Sequence, residues 1–306
     1  MRVPLLCLVL ACGLRWPAYA GEPARGLQVA VLLPSFPLTA ERKFELATEL
    51  AAQLAALLGE PASGQAFQSP ADFGRRAARG ELEVALVDPL LVDPDAMMVV
   101  GTAAIGARAA ARYQLVTRGG EYLFALQGRR LALAQAEALA APLSQRVLEG
   151  EVALDRYFGD RRSVPDAHDA LEAVRLQVAD VTLAPAGLPL APLRAVPVGP
   201  EIPYPALVVL RTPRARELAT RLRAALERLR LRAPFDRIVP AGPDAYRASR
   251  GPRRPGLLPP RPLGLPPIVL LPPAPPPIPR ELLWIRVEPA LTTPGLGELA
   301  RGPRRE

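Results

Sequence analysis

The sequence predicts an α/β fold: a parallel sheet with helices packed against it. Three observations within residues 27–92 carry that reading. The run LQVAVLL at 27–33 is apolar and breaks at the prolines of PSFP, 34–37. A helical pattern fills 40–58. A shorter helical pattern then leads into a second apolar run, EVALV at 83–87, which ends at Asp88 and Pro89. In outline this is strand, helix, strand, helix, strand, and short apolar runs alternating with amphipathic helices build βαβ units. In such sheets ligands bind outside the carboxyl ends of the strands, which directs attention to the loops at 34–38 and 88–91.

Each element has a local reason. Thr39 is an N-cap for the first helix, and Glu41 sits in its first turn, where the helix dipole favours a carboxylate. Phe44, Ala47, Ala51, Leu54, Leu57 and Leu58 are read as the inward stripe, with Gly59 at C′ and Pro61 as the stop. Ser69 caps the next helix, Pro70 takes its first position and Asp72 completes a capping box; Phe73, Ala77 and Ala78 pack inward. Further short runs at 97–101, 113–117 and 180–183 read as strands, as does 126–134 after a short turn. Residues 135–150 are helical by composition. Ser163 is taken as the cap of a helix running to Val178, with Pro165 in its first turn. The prolines between 185 and 205 mark a winding connection, 206–210 a strand, and 214–231 a long helix whose arginines form a solvated face. The folded body is expected to end near Tyr246.

The 306 residues suffice for two domains or lobes. Residues 1–20 read as a signal peptide: Arg2, an apolar region at 3–14 too short to cross a bilayer, and a small-x-small cleavage site at Ala18 and Ala20. The expected address is periplasmic, with lipid anchoring at Cys12 ranked second. Cys7 and Cys12 are the only cysteines, so the chain after cleavage has no disulfide, thiol nucleophile or thiolate metal site. The net charge is +8; residues 251–306 carry half of it and the leader a further two charges. What remains on the body is ordinary, and no basic stripe with interleaved aromatics points to nucleic acid. Residues 251–306 are proline-rich; runs such as 258–262 and 272–277 cannot form helix or central strand, 282–287 reads as one short strand or a docking segment, and the whole reads as an extended or disordered tail, a spacer or a ligand for a partner.

No phosphate-binding glycine loop, His-Glu-x-x-His, nucleophile elbow or Cys/His metal spacing is present, and His168 is the single histidine. The chain is therefore read as non-enzymatic, with no cofactor and no metal.

Several phrases in order resemble the periplasmic solute-binding proteins of ABC transporters, of the phosphate/phosphite/phosphonate type. They are LQVAVLLP at 27–34, LAALLG at 54–59, ELEVALVDPL at 81–90, LQGRRLAL at 126–133, DAHDA at 166–170 and EIP at 201–203. The resemblance spans residues 27–246. It implies a type II, two-lobed fold, each lobe a mostly parallel sheet flanked by helices. Lobe I would comprise 21–110 and 198–250, lobe II 111–197, and 251–306 the tail. It further implies a monomer that captures a small anionic solute between the lobes by hinge closure and hands it to a transporter permease. The alternative is a relative without a transport role, acting as a ligand-sensing or protein-interaction module. The pattern frays at AQAE, 134–137, where the resemblance implies a Ser/Thr-rich turn and Glu137 would repel a dianion. His168 matches the family histidine that touches ligand. Ser35 and Asp88 lie at strand ends facing the inferred cleft; each could equally serve a turn. Tyr113 and Tyr204 flank the two inferred crossings and either line the cleft or pack the hinge.

Overall fold

The computed structural model describes residues 26–150, 152–188 and 190–248. The leader and the proline-rich tail lie outside them, and so do the expectations placed there. In chain order the elements are β1 (Leu27–Leu32), α1 (Ala40–Leu58), β2 (Ala62–Phe67), α2 (Pro70–Ala78), β3 (Val84–Val87), β4 (Met98–Ala104) and β5 (Ala110–Thr117). They continue with β6 (Arg130–Ala134), α3 (Ala136–Pro142), α4 (Leu154–Tyr157), β7 (Asp160–Val164), α5 (Ala167–Arg175) and β8 (Val181–Pro185). The last are β9 (Arg194–Pro203), β10 (Ala206–Val209), α6 (Ala215–Ala225), β11 (Arg237–Pro240) and α7 (Pro243–Ala248). Among the described residues no helix is long and apolar enough to cross a membrane.

The strands form two sheets, ordered β11-β4-β10-β3-β1-β2 and β7-β6-β8-β5-β9. In the first, β1 runs parallel to β2 and β3, while β10 is inserted antiparallel between β3 and β4. In the second, β6 runs parallel to β7 and β8, while β5 is antiparallel to β8 and β9. Four strands of each sheet thus run one way, with β10 and the edge strand β11 reversed in the first and β5 reversed in the second; each sheet carries helices, and the molecule is two-lobed.

Alternation along buried strands sorts the core of the first lobe. Leu27, Val29, Val31 and Leu33 pack with Leu46, Leu50 and Leu54 of α1 and Leu218 and Leu222 of α6. Ala30 and Leu32 face the other way, against Phe73 of α2 and Tyr246 of α7. This is the two-residue strand period with both faces covered. In the second lobe Leu131, Leu133, Val181 and Leu183 face Leu139 and Val147, while Ala132 and Ala184 face Leu171 and Val174 of α5.

Helix α1 is delimited by its own sequence. Thr39 Oγ1 accepts from the Arg42 N–H at 3.2 Å, and Gly59 closes the helix in the left-handed region at φ 67°. Ser69 and Pro70 likewise open α2. At Gly64 a Cβ would lie 2.1 Å from the Ala47 carbonyl oxygen, so the close approach of β2 to α1 requires glycine.

Four expectations are corrected. The inward stripe of α1 is Lys43, Leu46, Ala47, Leu50, Ala51, Leu54 and Leu58; Phe44 is 58 % exposed. The helix expected from Ser163 begins at Ala167, because residues 160–164 pair with β6 as a strand and Asp166 takes over the cap; Val178 lies beyond it and is exposed. The winding connection contains β9, a ten-residue strand with three prolines, which is tolerated because β9 is the sheet edge. The arginines of α6 are not all solvated, since Arg214 and Arg221 pair with Glu60 just past α1.

Candidate functional site

The loop after β1, residues 33–39, and the segment after β3, residues 88–91, meet the second lobe along a seam. Apolar contact is part of it: Leu90 is buried in the second lobe's cluster beside Tyr113 and Ile202. The polar groups there come from both lobes.

On the first-lobe side, Asp88 is wholly buried. Its Oδ2 accepts from the Ser35 N–H at 2.8 Å and its Oδ1 from the Leu90 N–H at 3.1 Å. Burial raises the Asp88 carboxyl above the usual range, opposed by the bonds from Ser35 and Leu90 and by the Lys43 charge. Ser35 Oγ and the Tyr113 hydroxyl, from opposite lobes, share a 2.8 Å hydrogen bond. Tyr113 is held well above its ordinary value, first by burial and then by the charge of Asp88.

Beside this lies a buried ion pair. Lys43, in the first turn of α1, donates from Nζ to Asp166 Oδ2 at 2.8 Å. Asp166 Oδ1 accepts from the Asp169 N–H at 3.1 Å, capping α5. The Ala167 N–H donates to the Pro34 carbonyl at 2.9 Å, and Arg146 Nη1 to the Pro89 carbonyl at 2.8 Å. Apart from the Asp166 cap, each of these bonds joins one lobe to the other.

Of the residues singled out from sequence, Ser35, Asp88 and Tyr113 come together in one hydrogen-bonded chain. Tyr204 does not join them. It is buried against Phe36 and Phe235, at centroid distances of 6.4 and 6.1 Å, and its carbonyl accepts from Thr102 Oγ1 and the Tyr246 hydroxyl. That is a packing position beside the return crossing. His168, the second residue of α5, is half-buried and makes no hydrogen bond to the described residues. Glu137 is exposed in the first turn of α3, and the first N–H of that helix, at Ala136, donates to Ser163 Oγ at 3.1 Å.

Lys43 and Asp166 were missed as a pair. One signal was present: Lys43 precedes Leu46, Ala47 and Leu50 by three, four and seven residues, the spacing of a buried face. A stripe that includes Phe44 is rotated by one residue from the observed one and places the lysine in solvent. The pairing itself, 123 positions apart, has no sequence signature. Among the described residues no group of three or more His, Cys, Asp or Glu side chains could hold a metal ion. A cavity of about 380 Å³ lies between α2 and the first sheet, lined by Phe73, Val87, Leu91, Met97 and Leu210 among others.

No protein-family profile matches the chain, and no curated protein matches it by sequence. Solved structures do. The binding component of a phosphonate ABC transporter from Pseudomonas aeruginosa superposes with a TM-score of 0.58 at 11 % identity, over 74 % of this chain and 85 % of that one. The fold is that of the two-lobed periplasmic binding proteins. PhnD1 from Prochlorococcus marinus, solved with methylphosphonate, gives 0.56 at 12 % identity over 72 % of this chain and 94 % of the other. A Xanthomonas citri protein bound to ATP gives 0.56 at 15 %, over 73 % and 94 %. The ligands of these neighbours differ, methylphosphonate in one and ATP in another, so the shared fold does not by itself name a ligand.

Proposed function

We propose that this protein is an exported, non-enzymatic solute-binding protein that captures a small solute between its lobes for an ABC transporter. The observation that carries the reading is the gathering of Ser35, Asp88, Tyr113, Lys43 and Asp166, from both lobes, into one buried polar constellation. Residues 21–110 with 198–250 would form one lobe, 111–197 the other, and residues 1–20 would direct export to the periplasm. Hinge opening would expose the constellation and closure would bury it around the solute. The Lys43 ammonium and the hydroxyls of Ser35 and Tyr113 are donors suited to an anionic group such as a phosphate or phosphonate, with His168 at the rim. Asp88 and Asp166 would limit the negative charge such a ligand can carry. The protein would act as a monomer, and a permease is the expected partner.

A second reading is favoured by a separate observation: the seam's donors and acceptors already satisfy one another within the chain. In that case the protein senses a ligand or engages another protein without serving transport. Thermal-shift measurements on the mature chain with phosphate, methylphosphonate, sulfate, amino acids and nucleotides separate the two. A captured solute raises the Tm in a concentration-dependent way, by the equivalent of about 2.7 kcal/mol at a hundred times its Kd. A complete screen without a shift would remove the capture reading and leave the second.

A further inference from the structure

Lys43 is the exception on the inward face of α1. Its neighbours on that stripe are Leu46, Ala47 and Leu50, yet it is as buried as they are, at 1 % exposure. An ammonium withdrawn from water is costly unless it is paired and hydrogen-bonded. Its carboxylate partner belongs to the other lobe. Asp166 is fixed without Lys43, because its Oδ1 caps α5 through the Asp169 N–H. Lys43, by contrast, is a flexible four-carbon stem with a point charge at its tip. The Asp166 carboxylate is therefore the prepared half of the contact and the lysine the half that comes and goes. Three further bonds cross the seam in parallel: Ser35 with Tyr113, Ala167 with Pro34, and Arg146 with Pro89. The Lys43–Asp166 contact adds an ion pair to them, and its cation is a side chain standing where a ligand cation could stand.

We propose that Lys43 is a tethered ligand of its own protein, latching the two lobes shut by placing its ammonium on the Asp166 carboxylate, and that the same carboxylate accepts small primary alkylammonium ions when the lysine is withdrawn. The latch works on the solute-free protein and stands independently of the solute class proposed above. A free solute would have to open it, and a solute bearing a primary amine would do so by replacing Lys43 at Asp166 rather than by separating the lobes against it.

The test uses the full exported chain, with Lys43→Ala, Lys43→Met, Asp166→Asn and the Lys43→Ala/Asp166→Asn pair. The readouts are the radius of gyration from small-angle scattering and the Tm, with ethylammonium chloride against sodium chloride at matched ionic strength. Lys43→Ala should increase the radius of gyration and lower the Tm by roughly 5–10 °C. Ethylammonium should reverse both changes in Lys43→Ala, while leaving the wild type and the double variant unmoved. A wild-type radius in Lys43→Ala, or equal responses of the single and double variants to ethylammonium, would overturn the proposal. Should Lys43→Ala fail to fold, Lys43→Met, which keeps the packing of the stem, carries the scattering comparison; an unchanged radius there would overturn it equally. Solute capture can fail in the thermal screen with these results intact, and the latch can fail with capture intact.

Discussion

In the first lobe β1 is followed by a 19-residue helix that Thr39 and Gly59 delimit from within its own sequence. In the second, β6 is followed by a seven-residue helix entered through Gln135 in the left-handed region at φ 42°. The first N–H of that helix is bonded by Ser163, from a strand 27 residues on. The two lobes nevertheless share five strand places, namely second, first, third, an inserted antiparallel strand and one strand beyond it, and the first sheet adds β11 at its edge. The sheet core sets the topology in both, through buried alternating strands. What differs is where the helix end finds its partners, and this decides how each end can meet a ligand. The first lobe sends a long helix to the seam with Lys43 in its first turn. The second presents a short α3 whose leading N–H is already taken, and it meets the seam instead through α5 and its cap, Asp166.

Core deletions should show the largest contrast. Leu50 and Leu139 are both fully buried, but Leu50 sits mid-way along a long, doubly capped helix and Leu139 in a short one able to relax. Leu50→Ala is expected to cost about 3–5 kcal/mol and Leu139→Ala about 2–3 kcal/mol in urea unfolding. Equal losses would mean that α3 is as rigidly held as α1. At the seam, Asp88→Ala strands the N–H groups of Ser35 and Leu90 and should cost about 2–3 kcal/mol. Tyr113→Phe removes a single bond and should cost about 1 kcal/mol. Reversal of that order would place the weight of the seam on the second lobe.

The two lobes should also answer acid in opposite senses. In the second lobe Asp180 accepts three hydrogen bonds from Arg130, and those side-chain bonds lower its carboxyl to about 2. The stability it adds is present above its unfolded value of about 4 and is lost as pH falls towards 2. In the first lobe burial raises Asp88, so its contribution is fully present below the unfolded value and is lost as pH rises through the raised folded one. Urea midpoints taken from pH 6 downward should therefore lose their lowest-pH decline in Asp180→Asn. In Asp88→Asn they should lose a relative gain at lower pH, and with it the decline as pH rises through the raised folded value. The smallest expected effects are at the helix starts: Thr39→Ala at about 1 kcal/mol and Ser163→Ala at about 0.5 kcal/mol. If Ser163→Ala proved the costlier, the bond to Ala136 would be holding β7 and α3 together rather than merely completing a helix end.

The proposed solute capture and the proposed latch would meet at the same seam through two neighbouring sets of residues. Ser35, Asp88 and Tyr113 form one hydrogen-bonded chain, and Lys43 with Asp166 form an ion pair beside it. Substituting one set and reading the other shows whether closure and binding are one event or two.

Much of the fold was written locally. The caps at Thr39 and Ser69, the glycine after Leu58 and the apolar runs of β1 and β3 act over a few residues, so the sequence by itself determined those elements, their α/β character and their packing in a sheet. Asp88 and Ser35 were legible as strand-end residues for the same reason. The tertiary structure alone decided what depends on partners distant in sequence. Residues 160–164 became a strand because β6 offered an edge, which moved the start of α5 to Ala167 and its cap to Asp166. Phe44 yielded the inward position to Lys43 because a carboxylate from the other lobe was there to receive the ammonium. Tyr204 went to the aromatic cluster of Phe36 and Phe235 rather than to the seam. A charge can be buried on an apolar helix face only where its counter-charge is brought to it, and a contact spanning 123 residues is made by the fold, not by local preference.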